Sequence, residues 1–308
     1  MAYLANNDIL DDHYNDFAVG NIGGTIDHNT RNLDTIWGTG TGDKGYGQGS
    51  LLGSVGPGTN VTATQWATML DRMDAIAAHQ GTTITHPTNP TVGNNIAVFG
   101  QVDTDITNMF TNRLNASANA VDSTTTMSAS GTWNVSTQHY QTITWASANH
   151  ARYFFNAGGQ IRISFARSGG QTHTKNTEWT DLCTKCGTLV FGANTFTKSG
   201  GSGVVTTLNN NGWYNITSTF NVNFKQFADS SPYTSNFITV ETAWAATNTQ
   251  LLIRVIYQDA AADNSIPSTL DNVDGTVTTT FVERPPSTAQ LANTWGNPTN
   301  SATSNVQT

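Results

Sequence analysis

The stretch Phe220-Asn-Val-Asn-Phe-Lys-Gln-Phe227 decides how the second half of the chain folds. Its apolar residues recur at every second position, which predicts a strand with Phe220, Val222 and Phe224 turned inward. The same period of two runs outward from it in both directions. Upstream it covers 127–135, 140–145, 151–155, 160–166, 187–191, 204–208 and the approach from residue 214; downstream it covers 237–244, 251–257 and 276–282. Gly and Asn punctuate these segments, and Gly158-Gly159 reads as a hairpin turn. One helix interrupts at about 176–185, with Trp179, Leu182, Cys183 and Cys186 along a face. Short strands with this punctuation predict an antiparallel β-sandwich, jelly-roll-like in character.

Before about residue 122 the period changes to that of a helix. Residues 27–37 carry Leu33, Ile36 and Trp37 at helical spacing. The clearest helix starts at Thr62-Ala-Thr-Gln65, a capping box, and lines up Trp66, Met69, Leu70, Met73, Ile76 and Ala77. It stops at His79-Gln80-Gly81, where Gly supplies the left-handed cap. A further helix is expected over 103–115. The fold class is therefore α+β, in three parts. Residues 1–121 form a helical, loop-rich attachment region, 122–284 the sandwich with one inserted helix, and 285–308 an extended tail ordered against a neighbour.

Composition limits what such a chain does. Only 11% of residues are charged, against roughly 25% in an ordinary domain, while Thr fills about a sixth of the chain. Hydroxyls and amides thus replace ionised groups on the surface, and weakly charged surfaces suit lasting subunit contacts. A net charge of −8 and the lack of any Lys/Arg cluster exclude nucleic-acid binding. No apolar run approaches the ~20 residues of a membrane span. The first residues lack a basic, apolar leader, so the chain is expected to be made in a cytoplasm.

Each motif that could carry chemistry meets a geometric objection. Gly40-Thr-Gly42-Asp-Lys-Gly45 matches the dinucleotide pattern literally, but a helix-like segment precedes it where a strand is required. Tyr46 and Gln48, which follow, are instead read as interface residues, as are Trp66, His79 and Gln80. Cys183 and Cys186 lie three apart with His173 nearest, a weak candidate metal set that is one ligand short of a structural zinc site. No metal, cofactor or catalytic residue is assigned. With only Glu178, Glu241 and Glu283 in the whole chain, a facing pair of catalytic carboxylates is disfavoured. Trp133, Trp145, Trp213 and Trp244 are read as sandwich core in preference to sugar-stacking platforms.

The segments Trp37-Gly-Thr-Gly-Thr-Gly-Asp-Lys-Gly-Tyr46-Gly-Gln48, Val61-Thr-Ala-Thr-Gln-Trp66 and Ala151-Arg-Tyr-Phe-Phe-Asn-Ala-Gly-Gly-Gln160 together resemble virion structural proteins of tailed bacteriophages from marine and aquatic bacteria. The resemblance implies a non-enzymatic component of the tail, neck or fibre. It would be released by lysis, with other virion proteins and copies of itself, as a trimer or ring, for partners. A host-surface adhesin that binds envelope glycans is the alternative.

Overall fold

A computed structural model describes residues 11–20, 31–86, 89, 99–116, 118, 123–245, 248–261 and 272–305. Two compact units emerge. The first comprises Met1–Asn119, Arg152–Gly158 and Pro286–Trp295; the second comprises Ala120–Ala151, Gly159–Pro285 and Gly296–Thr308.

The first unit is helical: α1 (Asp11–Ala18), α2 (Leu33–Trp37), α3 (Ala63–Gln80) and α4 (Phe99–Thr111). In α3 the Thr62 hydroxyl accepts from the Gln65 N–H while the Gln65 carboxamide accepts from the Thr62 N–H. Gly81 closes the helix at φ 68°. Its stripe from Trp66 to Ile76 is fully buried. Residues 27–30 of the helix expected over 27–37 lie outside the described residues, and α2 covers its last five. The third helix begins and ends four residues earlier than expected, because Arg113 and Asn115 close turns onto Phe110 and Asn112.

The second unit holds two antiparallel sheets. One is ordered β1 (Ser123–Ser130), β10 (Thr276–Arg284), β3 (Gln160–Ser168), β4 (Thr188–Phe191), β5 (Phe196–Ser199). The other runs β11 (Thr299–Asn305), β2 (Ser136–Thr144), β9 (Gln250–Gln258), β8 (Phe237–Trp244), β7 (Asn221–Phe227), β6 (Val205–Leu208). Inward residues of both sheets form one core: Phe165 of β3 stacks on Phe224 of β7 at 6.5 Å. A polar knot crosses it, since the Thr279 hydroxyl meets His139 Nδ1 at 2.8 Å and the Tyr257 hydroxyl at 2.7 Å. Helix α6 (Thr174–Cys186) packs on β3 and buries Trp179, Leu182 and both cysteines.

Three expectations need correction. Residues 151–155 belong to a helix, α5 (Ala148–Asn156), not to a strand, so the inserted helices are two. Ala151, Phe154 and Phe155 sit at i, i+3, i+4 and are buried, and the Ser147 hydroxyl caps the first turn by accepting from the His150 N–H. A short aromatic run satisfies either period. Gly158-Gly159 accordingly joins a helix to β3. Next, β7 starts only at Asn221, and its register slips between Val222 and Phe224. This bulge makes Asn223 and Phe224 both buried, while Val222 is half-exposed on the other parity. Phe220 lies ahead of the strand, half-buried, with the Arg254 guanidinium 4.5 Å from its ring.

The last correction concerns the tail. Leu291 and Trp295 are buried in the first unit, and β11 pairs with β2 from Thr299↔Thr144 to Asn305↔Gln138. The segment packs within the chain itself through these residues, and 306–308 lie outside the described residues.

Candidate functional site

The glycine loop of the first unit is built to hold donors, not phosphate. Glycine is required at Gly45 and Gly47, with φ 85° and 69°: a Cβ at Gly45 would lie 2.5 Å from the Gly38 carbonyl oxygen, and one at Gly47 2.4 Å from the Tyr153 ring. The turn points its carbonyls inward. Arg152 donates to the carbonyls of Gly40, Gly42 and Lys44, and the Asn156 amide to those of Lys44 and Gly45 at 3.0 and 3.1 Å. A phosphate loop offers N–H groups to an anion; this one offers oxygens to a guanidinium.

Around that loop lie the five residues expected at an interface, and all are internal. Tyr46 is 1% exposed; its hydroxyl donates to the Arg113 carbonyl at 2.8 Å and accepts from Gln80 Nε2 at 2.7 Å. Burial pushes this phenol above its usual value. The Tyr46 ring meets His79 edge-on at 5.1 Å, and His79 Nε2 contacts the Ala157 carbonyl at 3.0 Å. Gln48 donates to the Tyr46 and Ala292 carbonyls and accepts from the Ala292 N–H. Trp66 is fully buried against Phe17. Buried groups so engaged serve folding, and the interface reading of these five is withdrawn on that ground.

The metal reading fares no better. His173 is the N-cap of α6, and Cys183 lies ten residues on, about 15 Å along the axis at 1.5 Å per residue. Both thiols are free and buried; burial lifts Cys183 to about 12 and Cys186 well above its usual value, so neither is poised as a thiolate ligand. His173 instead faces Asp274, which accepts from the Gln171 N–H and the Asn176 amide. Among the described residues, the group of metal-type ligands that does converge is Glu178, Asp181 and Asp229. Its centre is taken: Lys185 Nζ lies 2.5 Å from Asp181 and 2.7 Å from Asp229. Glu178 accepts from the N–H groups of Asp229 and Ser230.

Beside this cluster runs an open cleft of about 590 Å³ along α6, lined by Arg167, Gln171, Asn176, Thr177, Thr180 and Thr184 among others. Arg167 is held by the Asp274 carbonyl and carboxylate. Hydroxyls and amides dominate the cleft. The lining carboxylate Asp181 is engaged by Lys185.

The outer sheet faces carry the remaining chemistry. On the five-stranded sheet, register places Thr126, Thr280, Ser164, Thr188 and Ser199 in one row across all five strands. Neighbouring rows add Ser128 with Thr278 and Ser130 with Thr276, their hydroxyls 3.1 and 2.8 Å apart. Arg162 and Arg284 are charges this face carries toward one end. The six-stranded sheet turns out half-buried Tyr140, Phe227 and Phe237, with Lys225 Nζ 3.6 Å from the Phe237 ring centroid. Trp133, Trp145 and Trp213 are core residues, and Trp244 is half-buried with its indole N–H on the Ile216 carbonyl. Sequence reasoning missed the hydroxyl rows because Thr and Ser give no apolar period; only register reveals which of them share a face.

Fold and surface thus describe an α+β chain with a helical unit and a two-sheet sandwich. No family model, no curated protein and no solved structure matches it.

Proposed function

We propose that the chain is a non-enzymatic structural component of a bacteriophage particle, of the tail, neck or fibre, that assembles with copies of itself and other virion proteins. The observation that carries this reading is the hydroxyl face of the five-stranded sheet: five strands wide and almost free of charge. Such a face has little like-charge repulsion to overcome when it meets another subunit. Buried thiols, a glycine loop closed on Arg152 and an acidic cluster closed on Lys185 fit a chain that does no chemistry at these places. Assembly is assigned to the sandwich surface, since the residues first expected at the contact are interior. Native mass spectrometry tests it: a trimer or a ring is the expected species, and a monomer at every concentration counts against it.

A host-glycan adhesin is the second reading, favoured by the half-buried aromatics Tyr140, Phe227 and Phe237 on the six-stranded sheet. Glycan-array binding lost on Phe237→Ala would establish it, and a blank array would remove it.

A further inference from the structure

We propose that Lys175 and Asp259 join covalently, as an amide between Nζ and Cγ that ties the start of α6 to the end of β9. Lys175 is the second residue of α6, and Asp259 directly follows β9 with its N–H fixed on the Val135 carbonyl at 2.9 Å. Nζ lies 2.6 Å from Oδ2, and the two side chains are 1% and 0% exposed. The Tyr233 ring, 5.9 Å from Nζ, covers the pair. The other lysine paired with carboxylates, Lys185, has 24% of its side chain exposed and sits on the surface.

Two opposite charges buried this deeply carry a large desolvation cost that their mutual attraction has to offset. Condensation removes both charges and releases one water from this buried site. The proton of the Lys175 ammonium passes to Oδ2, leaving a neutral amine and a carboxylic acid in contact. Nζ then attacks Cγ, the N–C bond forms, and the protonated oxygen departs as water with a second amine proton. Ammonium plus carboxylate gives amide plus water, with no oxidant, reductant or co-reactant. Asn236 stands beside the reacting segment, 1% exposed, its Oδ1 accepting from the N–H groups of Ala260 and Ala261 at 2.8 Å. Its Nδ2 has no acceptor among the described residues.

The inference stands apart from the particle reading, since an enclosed amide forms in any context. Intact-mass spectrometry of the denatured full chain tests it directly. The expected result is a mass ~18 Da, one water, below that of the sequence. Proteolysis should then yield a branched peptide joining the segments of Lys175 and Asp259, and both signs should vanish in Lys175→Arg and Asp259→Ala. A wild-type chain at full sequence mass overturns the proposal. So does a water loss that persists in Asp259→Ala. The wild-type reading decides the matter even where a variant does not fold.

Discussion

At the scale of single residues, the buried polar groups carry the firmest expectations. Tyr46→Phe keeps the ring against His79 but removes the hydroxyl shared by Gln80 and Arg113. Leaving a buried amide donor unmet costs about 1–3 kcal/mol. Urea unfolding should show that loss, and an unchanged midpoint would mean the hydroxyl is dispensable. His139 sets a pH dependence. Burial lowers it from 6.5 to about 4, so the folded chain holds it neutral. Between those values the unfolded chain binds the extra proton, so stability rises with pH across this window and is lost as pH falls through it, by up to about 3 kcal/mol. His79, also lowered by burial, acts in the same direction. Glu283, raised above 4.5 by burial, acts in the opposite one. Unfolding midpoints from pH 7 to pH 4 check the sum, and a flatter slope in His139→Gln assigns its share. A slope in His139→Gln equal to that of the unaltered chain would contradict the geometry around Thr279.

At the scale of elements, legibility followed the strength of the local signal. Helix α3 was readable end to end, because Thr62, Gln65 and Gly81 mark both termini and the apolar stripe between them is unbroken. Strands β9 and β10 were readable because each alternates buried and half-exposed positions throughout, whereas β8 buries Ile238, Thr239 and Val240 in a row. The parity of β7 was not, since a bulge depends on its partner strand and leaves no mark in the chain itself. Strand β11, Thr-Asn-Ser-Ala-Thr-Ser-Asn, has no apolar residue beyond Ala302 to announce a face. The candidate site was the least legible of all: Tyr46 and Gln48 read as interface residues, and a side chain held within the chain looks the same in a sequence as one held at an interface. For the hydroxyl face, Thr278→Lys with Thr280→Lys is expected to leave the fold within about 0.5 kcal/mol, as outward substitutions do. The same pair should weaken self-association by charge repulsion, read as a shift toward monomer in sedimentation. Unaltered association would move the contact elsewhere.

At the scale of the whole molecule, the chain is two compact units of low charge. Among the described residues, several charged groups are held within the chain: Lys185 by its carboxylates, Arg167 by Asp274, Arg152 by the carbonyls of the glycine loop. The five-stranded sheet adds an outward face of Thr and Ser, ordered by strand register. The measurement that bears most directly on the particle role is quantitative mass spectrometry of gradient-purified virions from a lysate encoding this chain. It should be present in several copies per particle, in a fixed ratio to the other structural proteins. Its absence from washed particles, with the chain left as a free monomer in the supernatant, would contradict that role.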